Sequence, residues 1–198
     1  MNRKNLLITS ALKNELAPIK NNIHTSEYSN LNIHFFISGI GKENVLTRLD
    51  KQTKINQFQT IINIGTAGSL SDKFQIGDIV FPSTFLTLLN NTLLKIDFKN
   101  LPFIQDNQIE YLNIFTSDSP INDISKKENL KKYAKIVDME SYWISKICAY
   151  QNLEFYCIKV ISDYAENISM SQFKENLSNY AKLLIKPVKK FLEAYDKC

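Results

Sequence analysis

Residues Thr60–Gly68 read TIINIGTAG. Thr60 to Ile64 is uncharged and, apart from Asn63, β-branched, the composition of a strand covered on both faces. It runs directly into Gly65-Thr66-Ala67-Gly68. Glycines there permit positive φ and let a ligand come close to the backbone. A strand buried on both sides needs helices on both sides, so the neighbouring segments decide whether this is an α/β chain.

They alternate as that reading requires. Upstream, Asn5–Ser10 is a short apolar run followed by a helical stretch with Pro18 near its start. Ile33–Ser38 (IHFFIS) reads as a strand, then come Gly39-Ile40-Gly41 and a helix with Val45, Leu46 and Leu49 on one face. Downstream, Ile79–Phe81 follows a Gly77-Asp78 turn, and LTLLNNTLLKID (Leu86–Asp97) reads as two strands about an Asn-Asn turn. Tyr111–Thr116 is a strand, Ile124–Tyr133 a helix, and Val137 ends a short strand. Tyr142–Tyr150 is a helix with Trp143, Ile144, Ile147 and Cys148 inward, and Phe155–Ile161 (FYCIKVI) is a fully buried strand. A final helix from Gln172, capped by Ser171, turns Phe173, Leu177, Tyr180, Leu184, Val188, Phe191 and Tyr195 inward and kinks at Pro187. The expectation is one α/β domain over residues 1–198, with a largely parallel central sheet flanked by helices. Ligands of such sheets sit beyond the carboxyl ends of the strands.

Composition narrows the function. The chain has 198 residues, 44% hydrophobic and 22% charged, enough to bury a core. Its net charge of +4 comes from scattered lysines, with Arg3 and Arg48 as the two arginines. Nucleic-acid surfaces cluster Arg and Lys among aromatics, so the basicity reads as a solvated surface and no nucleic-acid partner is expected. Cys148, Cys157 and Cys198 offer neither a disulfide framework nor a metal pattern, which fits a reduced cytoplasm. The N-terminal apolar run is too soon broken by Lys13, Asn14 and Glu15 for a signal peptide, and no run of ~20 apolar residues spans a membrane.

All five glycines, Gly39, Gly41, Gly65, Gly68 and Gly77, fall within one third of the chain. Gly39-Ile40-Gly41 has Asn44 where a dinucleotide fingerprint needs its third glycine, so no nucleotide cofactor is expected, and there is no P-loop. Three acids occupy strand ends. Glu15 and Glu140 open helices, where acids are favoured by the helix dipole alone, and Asp163, in Ser162-Asp163-Tyr164, suits a turn. Taken singly, each has that ordinary explanation. Together they stand at the ligand-binding edge of one sheet, which favours a site. His34 sits in a strand pattern and reads as structural, and His24 has no evident partner.

Five strings in order carry a family likeness: ALKNELAPI (Ala11–Ile19), SGIGKENV (Ser38–Val45), INIGTAGSL with GDIV (Ile62–Val80), VDMES (Val137–Ser141) and VISDYAEN (Val160–Asn167). Together they resemble the nucleoside phosphorylase superfamily, and within it the 5′-methylthioadenosine/S-adenosylhomocysteine nucleosidases. The resemblance implies a mixed, partly barrel-like sheet and hydrolysis of the N-glycosidic bond of an adenine nucleoside, with no metal or cofactor. It implies that Asp163 protonates or hydrogen-bonds adenine N7, with Ser162 orienting its carboxyl. Glu15 would activate the attacking water, and Glu140 would bind the ribose hydroxyls with Met139 against the sugar. Thr66, Ala67 and Gly68 would line ribose and base, with Ile40 near the sugar. It also implies a homodimer. The chain departs from the family in a shortened middle, around residues 82–113, and in Ser117-Asp118-Ser119-Pro120, where relatives carry an aromatic against the base. Methylthioadenosine, adenosylhomocysteine, 5′-deoxyadenosine, a futalosine-type nucleoside and a hopanoid nucleoside all stay open as substrates. Two alternatives also remain: a phosphate-using purine nucleoside phosphorylase, and a nucleoside-binding protein that keeps the fold but not the catalysis.

Overall fold

The computed structural model describes residues 3–51, 54–98, 112–166 and 170–197. Tyr111, Asn167, Cys198 and the Phe173 side chain therefore lie outside the described residues.

The TIINIGTAG stretch becomes β3 (Thr60–Ser69), ten residues long and at the centre of the architecture. Its first half is flanked by two parallel neighbours, β1 (Lys4–Ser10) and β9 (Glu154–Asp163), and β2 (Leu31–Ile37) continues the parallel set beyond β1. At its far end Gly68 and Ser69 pair antiparallel with Val137 and Ile136 of β8 (Ile136–Asp138). From β8 the sheet passes to β7 (Leu112–Thr116), β5 (Pro82–Leu89) and β6 (Thr92–Asp97). The two-residue β4 (Ile79–Val80) pairs with β9 and is joined to β5 through Phe81 alone. Pairing thus runs from β3 through β8, β7 and β5, across Phe81 to β4, then through β9 back to β3. The result is a nine-stranded mixed sheet, partly closed like a barrel, as the resemblance implies.

Strand side chains alternate between faces, and both faces are covered. On one, Leu6, Ile8, Ile62, Ile64, Ile158 and Val160 meet Leu16 and Ile19 of α1 (Lys13–Asn22). The C-terminal helices α5 (Met170–Leu183) and α6 (Ile185–Asp196) lie on this side, with Leu184, Val188, Phe191 and Tyr195 inward as expected. On the other, Leu7, Ile61, Phe155, Cys157 and Ile161 meet Val45 and Leu49 after α2 (Gly41–Asn44), and Tyr142, Trp143, Ile144 and Ile147 of α4 (Ser141–Tyr150). α2 widens into π-helical turns over Val45–Asp50. The expected hairpin is present: Asn90 and Asn91 both have positive φ, 49° and 62°, the geometry of a type I′ turn.

Three boundaries differ from expectation. Pro18 lies in the interior of α1 rather than near its start, so the helix forgoes the bond to the Asn14 carbonyl. The long C-terminal helix is two helices broken at Leu184, because the Pro187 ring excludes the carbonyl four residues earlier, that of Leu183. Ser171, expected as a cap, lies inside α5, whose first residue is Met170. The remaining helix, α3 (Ile124–Lys131), starts at Asp123, whose carboxylate accepts from Ser125 N at 2.7 Å.

Candidate active site

Glu15 is the third residue of α1, just past the carboxyl end of β1. Its Oε2 accepts the Leu12 N–H at 3.1 Å, which satisfies a donor left over at the helix start. Its Oε1 accepts both the backbone N–H of Thr66, at 2.9 Å, and the Thr66 hydroxyl, at 3.0 Å. The close approach depends on Gly65: at φ +146° it carries no side chain, and a Cβ there would stand 2.9 Å from Glu15 Oε1. Burial raises the Glu15 pKa above the ordinary carboxylate value, opposed by the charge of Lys159 and the bonds from Thr66 and Leu12.

Glu140 precedes α4, and its carbonyl accepts from Trp143 and Ile144. Its side chain is buried and accepts the Gly41 N–H at 2.8 Å. This contact ties β8 to the Gly39–Gly41 turn. Burial pushes the Glu140 pKa up to about 8, reinforced by the neighbouring charge of Asp138, while Lys159 and the Gly41 N–H pull the other way.

Asp163 is the last residue of β9 and is placed by a β-bulge. Ala67 pairs with Ile161 but Gly68 pairs with Asp163, so Ser162 is the extra residue, and it re-aims the Asp163 side chain. Ser162 Oγ donates to Asp163 Oδ2 at 2.7 Å, and Ala165 N donates to Oδ1 at 2.8 Å. A Cβ at Gly68 would lie 2.8 Å from Asp163 Oδ1, so glycine here makes room for the carboxylate.

The last five residues of β3 thus meet two of the acids, Glu15 at Gly65-Thr66 and Asp163 at Gly68. Glu140 is linked to Glu15 electrostatically, since the charge of Glu15 helps raise its pKa. Ala67 is buried, Met139 half-buried and Ile40 exposed.

Sequence reasoning missed the group that balances these charges. Lys159, in the middle of FYCIKVI, is 2% exposed, and its ammonium lies 3.0 Å from Asp138 Oδ2. Burial works against its charge, but Asp138, Glu140 and Glu15 together hold its pKa above the ordinary lysine value. Asp138 is fixed in turn by the Thr116 hydroxyl at 2.8 Å, by Ser141 N and by the Ser141 hydroxyl, which also lies 3.0 Å from Asn63 Oδ1. The available signal was the lysine itself: a charge inside a strand covered on both faces requires a buried partner.

Ser117, Asp118 and Ser119 border a cavity of about 280 Å³ beside α3, whose lining includes none of the three acids. Pro120 is exposed and does not line it.

No helix among the described residues is long and apolar enough to cross a membrane. The profile of the Phosphorylase superfamily matches residues 6–111. The chain is 29% identical over 205 aligned positions to the 5′-methylthioadenosine/S-adenosylhomocysteine nucleosidase of Buchnera aphidicola subsp. Schizaphis graminum, covering 84% of each. Its fold is similar to that nucleosidase from Helicobacter pylori, crystallised with butyl-thio-DADMe-Immucillin-A, with a TM-score of 0.81, 20% identity and coverage of 96% of this chain and 98% of that one. It is similar also to the Helicobacter pylori futalosine hydrolase, with a TM-score of 0.82, 18% identity and coverage of 96% and 97%. With the family profile spanning more than half its length, the chain belongs to the phosphorylase superfamily.

Proposed function

We propose that this protein hydrolyses the N-glycosidic bond of an adenine nucleoside, releasing adenine and a ribose derivative. The observation that carries the reading is the approach of Glu15 and Asp163 to the end of one strand, with Glu140 close enough to Glu15 to feel its charge. The curated relative named above is a nucleosidase, which supports the same reaction class.

The placement of the acids accounts for the chemistry. Adenine leaves poorly as an anion, so an acid must relieve charge on its ring. Asp163, held at both oxygens by Ser162 and Ala165, meets adenine N7 in this role. As the bond breaks, the ribose becomes oxocarbenium-like and positive, and carboxylates nearby stabilise it. Glu15, its basicity raised by burial, takes the proton of the attacking water. Glu140 receives the ribose hydroxyls, with Met139 against the sugar and Ile40 at its rim. Thr66, Ala67 and Gly68 form the wall behind ribose and base. Lys159 is the fixed counter-charge that keeps three buried carboxylates tolerable in one place.

Water suits the site better than phosphate as nucleophile. Lys159 is engaged by Asp138, and the Lys42 ammonium lies 4.5 Å over the Trp143 ring, so neither is given over to a phosphate. In this reading the enzyme works in the cytoplasm as a homodimer. Leu89 and Leu93, exposed on the β5–β6 hairpin, are apolar surface available to a second copy.

The test is release of free base from a panel of adenine and hypoxanthine nucleosides differing at the 5′ position, with and without phosphate. Phosphate-independent release of adenine is expected. Turnover that requires phosphate would make the protein a phosphorylase, and tight binding without turnover would make it a nucleoside-binding protein.

A further inference from the structure

The turn after Asp163 is held from outside the site. Ala165, whose N–H donates to Asp163, is buried and left-handed at φ 51°, a conformation that costs an L-residue roughly 1–2 kcal/mol. Something must hold it there. The next residue, Glu166, is half in solvent, yet its carboxylate lies 2.7 Å from the ammonium of Lys127 on α3. The Lys127 side chain is 7% exposed, so nearly all of it is packed away. Lys131, one turn further along α3, adds to the positive field on Glu166 while itself pairing with Glu128. Ion pairs with an exposed partner contribute only ~0–1 kcal/mol to stability. Stability alone is therefore a thin reason to place a near-buried lysine here.

We infer that Lys127 and Glu166 are positioning residues: their ion pair clamps the turn from Asp163 to Glu166 against α3 and so fixes the direction of the Asp163 carboxyl. The inference rests on the reading of Asp163 as the acid that meets the leaving base. The path is continuous, from Lys127 to Glu166, through the strained backbone of Ala165, to Asp163 Oδ1.

The test uses E166Q, K127M, K127R and the charge-reversed K127E/E166K, with kcat and KM for base release and a thermal melt for each. Glu166 is at the surface, so E166Q tests the clamp without disturbing the core. E166Q should lower kcat about tenfold, leave KM within about twofold and lower the melt only slightly, because an error of ~1 Å at a reacting group can cost up to ~100-fold. K127M should fall alike, K127R should keep most of the rate, and the reversed pair should recover part of it. In a D163N background E166Q should have no further effect, since residues acting through one group are not additive. An active wild type with an unchanged E166Q overturns the clamp alone, as does an E166Q loss that persists undiminished on D163N. A wild type that releases no base from any nucleoside overturns the proposed function, and the clamp with it.

Discussion

The ammonium of Lys159 and the carboxylate of Asp138 stand 3.0 Å apart with both side chains sealed from solvent. Such a pair gains little over a well-packed apolar pair, because desolvation offsets most of the attraction. Here the lysine also faces Glu15 and Glu140, so it serves three carboxylates rather than one. K159M should cost about 3–5 kcal/mol, the penalty of stranding buried charge. Adding D138N should return part of that loss, because the second change removes one of the stranded charges. Denaturant melts of the two single variants and the double variant give the coupling. Strictly additive losses would mean the pair does not act as a unit.

Glu140 contributes to the pH dependence of stability. Its folded pKa of about 8 lies above the ordinary 4.5, so the folded state binds the proton more tightly than the unfolded chain. That contribution is full below pH 4.5, fades as pH rises, and is gone above about 8. Glu140→Gln removes the titration while leaving an oxygen to accept the Gly41 N–H. The wild type should lose stability between pH 5 and pH 8, and the variant should lose distinctly less over the same interval. Parallel curves from urea melts would show that Glu140 titrates at an ordinary value.

Gly68 gives a steric test of the Asp163 position. A Cβ there would meet Asp163 Oδ1 at 2.8 Å, the Ala165 Cβ at 3.2 Å and Val137 Cγ1 at 3.3 Å. The carboxylate, at the far end of its side chain, yields at the cost of its bonds to Ser162 and Ala165, so G68A should displace it and lower kcat by about 100-fold. Its cost in stability should be only ~1–3 kcal/mol, the usual range for overpacking. A G68A enzyme with full turnover would show that Asp163 need not sit where it does.

Much of this was legible in the sequence, and the reasons for the rest are specific. TIINI gave its strand because composition and burial agree, and the Asn90-Asn91 turn declared itself because two residues that tolerate positive φ stood between apolar runs. Glu15 could be placed just past the carboxyl end of β1 by chain order alone. Lys159 escapes notice because counting apolar residues in FYCIKVI treats a single lysine as noise, whereas the fold buries it and ties it to Asp138. The bulge at Ser162 depends on which strand β9 pairs with, and so does the antiparallel join of β8 to the end of β3. Neither is encoded locally. Pro187 is plain in the sequence, but its effect falls at the carbonyl four residues earlier, which moves the break to Leu184.

Asp163 and Glu15 have different tasks, and a change of leaving group separates them. Asp163→Asn keeps an oxygen for the Ala165 N–H but cannot pass a proton to N7, so adenine release should fall by ~10²–10⁴-fold. A nitrophenyl riboside releases nitrophenolate, a stable anion that needs no such proton, so the same variant should hydrolyse it at close to the wild-type rate. Glu15→Gln acts on the water instead, and both substrates should slow. That variant also sets an amide N–H₂ against either the Leu12 N–H or the Thr66 donors, since every bond the protein makes to the Glu15 carboxylate is one it accepts. Its melt should therefore shift, whereas that of Asp163→Asn should not. Equal losses for the two variants on the nitrophenyl substrate would remove the acid's part from Asp163 and leave it only the task of binding the base.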